Sequence, residues 1–244
     1  MIRSKRTTLI RTLVIAGLAC AALTGCTAGS SGGSSGPAAP STEATPLDQM
    51  SAGTPASEPN SGGVFVITSE AMAMTLQGCQ GCDDDHVLVS SLDGHPDRLH
   101  DGNIVVFHAP PGWKGGSGAL VLRVIAMGGE TVKGISTQGG QGDSVMVSEH
   151  GTAGPWRTLS ENFYVYIDAP DGKANFGPVT VPAGRVWVMG DYRNYAADSR
   201  DHCGPNTNGT NLNNCNPVSS TVPISDIVGI ATRIVAPLSR IGPL

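Results

Sequence analysis

Hydrophobic residues beyond position 62 fall in short runs that are separated by turn-forming residues. The runs are rich in Val and Ile, and Gly or Pro lies in nearly every gap between them. β-Branched residues in runs of this length favour strands, whereas an amphipathic helix needs apolar residues at a 3.6-residue period. The pattern predicts strands at 64–67, 87–89, 104–107, 120–125 and 186–189, and weaker ones at 145–147, 163–167 and 227–235.

The same pattern predicts a mostly β fold. Beyond the N-terminal segment, no stretch keeps a helical period over a dozen residues. Gly (33 residues) and Pro (17) are frequent and charged residues make up only 14% of the chain, which is typical of strands and turns. We expect one barrel-like or sandwich-like domain over 63–244, with 134–178 as a smaller inserted subdomain.

The first 25 residues have the pattern of an export signal. Four basic residues among the first eleven precede an apolar run over 12–23, which is too short to cross a bilayer. The segment Leu-Thr-Gly-Cys at 23–26 resembles the bacterial lipobox, in which the cysteine is lipidated and becomes the first mature residue. An ordinary signal peptide or an uncleaved anchor, with Cys26 incidental, is the alternative. Export is expected in either case.

Residues 26–62 are predicted to be a tether between that lipid and the domain. They are dominated by Ser, Gly, Ala, Pro and Thr, and such a segment buries too little apolar surface to offset its ordering entropy. A lipid on Cys26 would hold the domain at the extracytoplasmic face of the cell membrane, because an anchor with two or more chains gives stable attachment.

Charge and histidine spacing argue against several partners. The net charge is -5, and no Lys/Arg cluster follows the first eleven residues, so no nucleic-acid partner is expected. The six histidines show no His-x-x-x-His spacing, so no metal site and no cofactor are predicted.

Four cysteines remain once Cys20, in the signal, and Cys26 are set aside. An even number in an exported chain favours structural disulfides, with three possible pairings. A Cys₄ zinc site and a Cys-x-x-Cys redox centre are the alternatives. The four residues are Cys79, Cys82, Cys203 and Cys215.

Four segments in fixed order carry the clearest functional signal. They read Ser-Glu-Ala-Met-Ala-Met-Thr-Leu at 69–76, Asp-Gly-Asn-Ile-Val-Val-Phe at 101–107, Leu-Arg-Val-Ile at 122–125 and Gly-Asp-Tyr-Arg-Asn-Tyr-Ala-Ala-Asp-Ser-Arg at 190–200. Together they resemble the signal peptidase I family of bacterial serine proteases, most closely its actinobacterial form. The resemblance extends from about residue 68 to the end of the chain. It implies an antiparallel β-barrel or sheet core, and cleavage of signal peptides by a serine with a neutral lysine as base.

Asn103 stands where the family has Asp, and three catalytic positions also depart from the family's pattern. Ala71 stands at the position of the nucleophilic serine, and Leu122 stands at the position of the lysine base. Ala196 replaces the serine that orients this lysine. Alanine has no nucleophilic oxygen and leucine has no proton acceptor, so the sequence predicts a homologue that does not cleave.

Other functional positions match the family. Ser69 matches the serine that donates to the oxyanion. Four charged residues match positions that brace the site, and their retention indicates fold rather than activity, because losing one partner of a buried ion pair is costly. These bracing residues are Arg123, Asp191, Asp198 and Arg200.

The resemblance also implies an apolar substrate cleft. Met72, Leu76 and Val121 match its lining, and such a groove beside a sheet edge accepts an extended peptide by strand addition. The alternative is that all three are core residues only. In the actinobacterial branch both local cysteine pairs have counterparts, so we expect the pairs Cys79–Cys82 and Cys203–Cys215.

The sequence is compatible with three functions. The first is a membrane-tethered, inactive homologue that binds secreted preproteins or modulates an active signal peptidase. The second is an active enzyme, either an unconventional signal peptidase or one acting through Ser69 or Thr75. The third is a structural envelope lipoprotein with a closed groove. The substitutions at Ala71, Leu122 and Ala196 favour the first.

Overall fold

Antiparallel strands form most of the regular structure in the described part of the chain. Only 3₁₀ turns of three or four residues accompany the strands there, which confirms the predicted mostly β class. The computed structural model describes residues 62–113, 118–136, 143–169, 171–203 and 214–244.

All described residues belong to one compact unit, Thr54–Leu244. The predicted export signal, the lipid on Cys26 and the tether before residue 62 fall outside the described residues. None of the helices within the described ranges has the length and apolar character needed to cross a membrane.

Twelve described strands form two sheets. Along the chain they are β1 Val64–Val66, β2 His86–Ser90, β3 Ile104–His108, β4 Ala119–Met127, β5 Thr131–Ile135, β6 Ser144–Ser148, β7 Arg157–Thr158, β8 Phe176–Thr180, β9 Arg185–Met189, β10 Val222–Pro223, β11 Ile227–Ala236 and β12 Gly242–Pro243.

Each of the four motif segments lies in a strand of the larger sheet or within a few residues of one. Its strands follow the order β1-β2-β11-β3-β4-β9-β10, with β12 paired to β11, and every pairing is antiparallel. The smaller sheet has the order β7-β6-β5-β8. It is built from residues 131–180, and the segment 134–178 that we expected as a subdomain lies within that range.

Strand β4 contributes to two hydrophobic cores. Leu122 and Val124 are buried in the first core. Ile125 and Ala126 are buried in the second, which also contains the ring pair of Phe176 and Trp187. A β-bulge lies between Val124 and Ala126 in the pairing with β9, and a bulge changes the face to which the following side chains point. Packing in both hydrophobic cores therefore fixes the position of β4.

Most of the predicted strands are present. The exception is 163–167, where the structure has a single bridge between Tyr166 and Tyr192 in place of a strand. Side-chain contacts to Glu161 and Arg123, described below, hold this segment instead of a backbone ladder. The two predicted disulfides, Cys79–Cys82 and Cys203–Cys215, are confirmed.

A substitution at Gly134 measures how tightly the smaller sheet is packed. A Cβ at this position would overlap the ring of Phe176 and the carbonyl oxygen of Ala174. Gly134→Ala should therefore lower the free energy of unfolding by about 1–3 kcal/mol, the usual cost of overpacking. Urea denaturation measures it. Gly172→Ala is the matched control, because no heavy atom lies within 4 Å of its added Cβ. Equal midpoints for the two variants would contradict the packing described.

Candidate functional site

A groove of about 440 Å³ opens beside the first half of β4. One wall is formed by residues 66–69 with Ala71 and Met72, and the other by residues 118–122, with Tyr195 and Ala197 completing the lining. None of these lining residues carries a charge. The volume lies within the range of about 300–1,000 Å³ that is usual for ligand sites.

The start of β4 presents an open strand edge in this groove. Residues Ala119 to Arg123 pair with β3, whereas the pairing with β9 begins only at Arg123. Among the described residues, the second edge of 119–122 therefore has no strand partner. An unpaired edge offers backbone donors and acceptors to another extended chain.

The three catalytic positions that depart from the family pattern lie close together in the structure. Ala71 and Leu122 both line the groove, and Leu122 is only 2% exposed. Ala196 is fully buried behind them. A Cβ added to Gly190 would collide with the side chain of Ala196 and the carbonyl of Ala71, so these segments are in close contact.

The carboxylate of Asp191 ties three motif segments to one point. It accepts two hydrogen bonds from Arg123, at 2.8 and 2.6 Å, and one from the Thr75 hydroxyl at 2.5 Å. Arg123 also donates to the carbonyl of Gly102 and lies 4.1 Å over the ring of Tyr164. Burial lowers the pKa of the Arg123 guanidinium, but the hydrogen bonds and charge of Asp191 outweigh burial and raise it. Arg123 therefore remains charged.

A second buried carboxylate, Asp198, holds the loop after β9. It accepts hydrogen bonds from the Gly190 amide at 3.1 Å and from the guanidinium of Arg200 at 2.9 and 2.7 Å. Arg200 is fully buried and also pairs with Asp171. Burial raises the pKa of Asp198, but the charge and hydrogen bonds of Arg200, together with the charge of Lys173 and the amide of Gly190, outweigh burial and hold this pKa below its usual value. All four bracing residues named from the sequence thus form buried or nearly buried ion pairs.

Comparison with known proteins decides the family. Residues 62–236 match the family model described as signal peptidase, peptidase S26. The chain belongs to this family. A probable signal peptidase I of Mycobacterium leprae is 35% identical over 208 residues, which cover 73% of this chain and 70% of that protein. Signal peptidase I of Mycobacterium tuberculosis (strain H37Rv) is 34% identical over 208 residues, and the match covers 73% of this chain and 66% of that protein. Signal peptidase I of Leptolyngbya laminosa is 29% identical over 182 residues, with 73% and 70% covered.

Within the described residues, the hydroxyls of Ser69 and Thr75 near the groove have no amine or imidazole partner. Ser69 lines the groove and precedes the 3₁₀ turn Glu70–Met72, and its side chain makes no hydrogen bond to any residue that the structure describes. The Thr75 hydroxyl is committed to Asp191. A nucleophile needs a base within about 2.6–3.2 Å, and neither hydroxyl has an amine or imidazole partner among the described contacts.

The two lysines that the structure describes, Lys133 and Lys173, contact other groups. Lys173 donates to the carbonyl of Ala196 at 2.6 Å and to Asp201 at 2.8 Å. Lys133 lies 3.8 Å over the ring of Trp156 in the region of the smaller sheet. Lys114 lies outside the described residues. Through the carbonyl of Ala196, Lys173 contacts the motif segment 190–200. Nothing in the sequence around Lys173 indicated this contact.

The expected cleft residues divide between groove and core. Met72 is 1% exposed and belongs to the first core, yet it also lines the groove. Val121 lines the groove and packs against the same core. Leu76 is fully buried in the core and does not line the groove. The groove floor is therefore the edge of the hydrophobic core.

Several ion pairs that support the site were missed from the sequence. Arg193 pairs with Glu161 at 2.6 and 3.0 Å and anchors the 161–166 segment beside the motif loop. Asp85 pairs with Arg240, which also donates to the carbonyl of Thr75. The partners are 32 and 155 residues apart, so no local pattern marks them.

Asp198 should make the stability of the protein depend on pH. Its pKa is lower in the folded state than in the unfolded state, so its contribution is fully present above the unfolded value of about 4 and is lost as pH falls through the folded value. Asp198→Asn should remove this dependence. It should also cost about 3 kcal/mol at neutral pH, because Arg200 loses one of its two carboxylates.

Urea denaturation between pH about 3 and 7 measures this effect. Asp97→Asn serves as the control, because the side chain of Asp97 is 81% exposed. The assignment fails if the Asp198→Asn protein loses stability on acidification as steeply as the parent protein does.

Proposed function

We propose that this protein binds extended peptides in the groove and does not cleave them. The observation that carries the proposal is a groove of about 440 Å³ whose lining includes Ala71 and Leu122 and, among the described residues, contains no lysine, histidine or carboxylate. The ion pairs of Asp191 and Asp198 around it are retained.

Elementary chemistry supports the loss of cleavage. Removing the nucleophile or the base of a serine hydrolase costs on the order of 10⁶ in rate, and here both positions are substituted. A buried amine without a catalytic task costs desolvation energy, whereas a buried leucine contributes roughly 1.5–3 kcal/mol. Leu122 therefore suits a scaffold that is stable and does not react.

The shape of the groove supports peptide binding. The open edge of β4 at 119–122 matches the backbone of an extended chain. Small residues on both walls, including Ala71, Gly118, Ala119 and Ala197, leave room for small side chains of a ligand. The volume of the groove argues against the alternative of a structural lipoprotein whose groove has closed.

The expected ligands are secreted preproteins with small residues near their cleavage sites, which follows from membership of the family. Bound at the extracytoplasmic face through a lipid on Cys26, the protein would withhold such segments from an active signal peptidase or deliver them to it. This placement rests on the lipobox-like sequence at 23–26.

Peptide binding without cleavage is directly measurable. Titration of the purified protein with a fluorescent peptide containing Ala-Thr-Ala should show saturable binding, and mass spectrometry should find the peptide intact. Ala119→Trp should weaken binding by at least about tenfold, or 1.4 kcal/mol, because the new ring fills the groove.

Ala153→Trp is the matched control, since Ala153 is also exposed but lies in a turn outside the groove. Cleavage of the peptide by a preparation free of contaminating protease would contradict the proposal that the protein does not cleave peptides. Equal affinities for the two tryptophan variants would place binding outside the groove.

A further inference from the structure

The tyrosines of the chain are clustered beside the groove. There are four in 244 residues, and all lie between positions 164 and 195. Three of them form a continuous series of rings: Tyr166 and Tyr192 have centroids 4.9 Å apart, and Tyr192 and Tyr195 have centroids 5.7 Å apart with nearly parallel planes. We call these three residues the tyrosine stack.

The tyrosine stack continues the groove into solvent. Tyr195 lines the groove and is 59% exposed, and Tyr166 at the other end is 38% exposed. The Tyr192 amide donates to the carbonyl of Ala71 at 3.1 Å, which fixes the stack next to the former nucleophile position. A peptide that lies along the groove past Ala71 would therefore reach these rings.

Two carboxylates lie at the tyrosine stack. Asp168 accepts a hydrogen bond from the Tyr192 hydroxyl at 2.5 Å and is exposed. Glu70 directly precedes Ala71 and has no ion-pair partner among the described residues. The hydrogen bond to Asp168 raises the pKa of Tyr192 to about 12, with a smaller contribution from the charge of Glu70. Tyr192 thus stays protonated at neutral pH.

We propose that the tyrosine stack binds a cationic side chain, Arg or Lys, of the peptide held in the groove. The proposal rests on the proposed peptide-binding function and names a specificity determinant for it. The negative faces of aromatic rings attract guanidinium and ammonium groups, and a planar guanidinium also stacks on such rings. Glu70 and Asp168 supply the complementary charge.

A cation fits this surface better than an apolar ring does. A proline or aromatic side chain would stack on Tyr195 but would leave Glu70 without a complementary charge. Among the described residues, Arg123 and Arg193 in the neighbouring segments are already paired, with Asp191 and Glu161 respectively. A cation on the bound peptide would complement the charge of Glu70.

The test compares peptides that differ by one charge. Each carries Ala-Thr-Ala and a single arginine at one of several positions on either side, and each is matched by a peptide with citrulline, the neutral isostere, at the same position. At one position, the arginine peptide should bind the purified protein about threefold to tenfold more tightly at low salt. The preference should shrink as ionic strength rises.

Variants of the tyrosine stack then locate the effect. Tyr195→Ala and Glu70→Gln should each reduce the preference for arginine, whereas Tyr195→Phe should keep most of it, because the ring face remains. Phe163→Ala is the matched control, since Phe163 is an aromatic residue that is 81% exposed and outside the stack and the groove.

The outcomes separate this inference from the proposed function. Binding of the citrulline peptides with no gain from arginine at any position would overturn the inference and leave peptide binding intact. An arginine preference that survives both Tyr195→Ala and Glu70→Gln would also overturn it. Failure of every peptide to bind would overturn the proposed function, and the inference with it.

Discussion

The carboxylate of Asp191 is the contact on which the arrangement of the groove depends. It binds Arg123, the neighbour of Leu122, and Thr75, which follows Ala71 by four residues. These partners are 68 and 116 residues away in sequence, so one side chain joins three separate segments. Asp191 is 1% exposed, and a missing partner would leave a buried charge uncompensated. This constraint acts whether or not a nucleophile is present.

Because this constraint does not depend on a nucleophile, the fold can persist without the reaction. Loss of one partner from the ion pairs of Asp191 or Asp198 would leave a buried charge uncompensated, and neither pair needs the hydroxyl or the amine of an active peptidase. Ala71, Leu122 and Ala196 are small or apolar residues that pack without leaving unpaired polar groups. The groove and its open strand edge at 119–122 are therefore present although the positions of the proton-transfer residues are occupied by Ala71, Leu122 and Ala196.

The sequence was sufficient for the fold class and for the positions that meet at the groove, because β-branched runs mark strands locally and the motifs have fixed spacing. It was insufficient where structure depends on distant partners. The run at 163–167 has strand-like composition, yet its neighbours offer it only one bridge. Asp171 with Arg200, and Lys173 with the carbonyl of Ala196, are 29 and 23 residues apart. The tyrosine stack likewise forms only when the 161–168 segment lies against the loop after β9.

We propose that the loss of cleavage lies in the three substituted catalytic positions, Ala71, Leu122 and Ala196. The most direct measurement is cleavage of a preprotein by the variant that combines Ala71→Ser, Leu122→Lys and Ala196→Ser, with folding checked by circular dichroism. The account predicts cleavage after a small residue by this variant, and none by the parent protein or by Ala71→Ser alone, because a serine needs its base. A folded triple variant that cleaves nothing, or a parent protein that cleaves, would contradict the account.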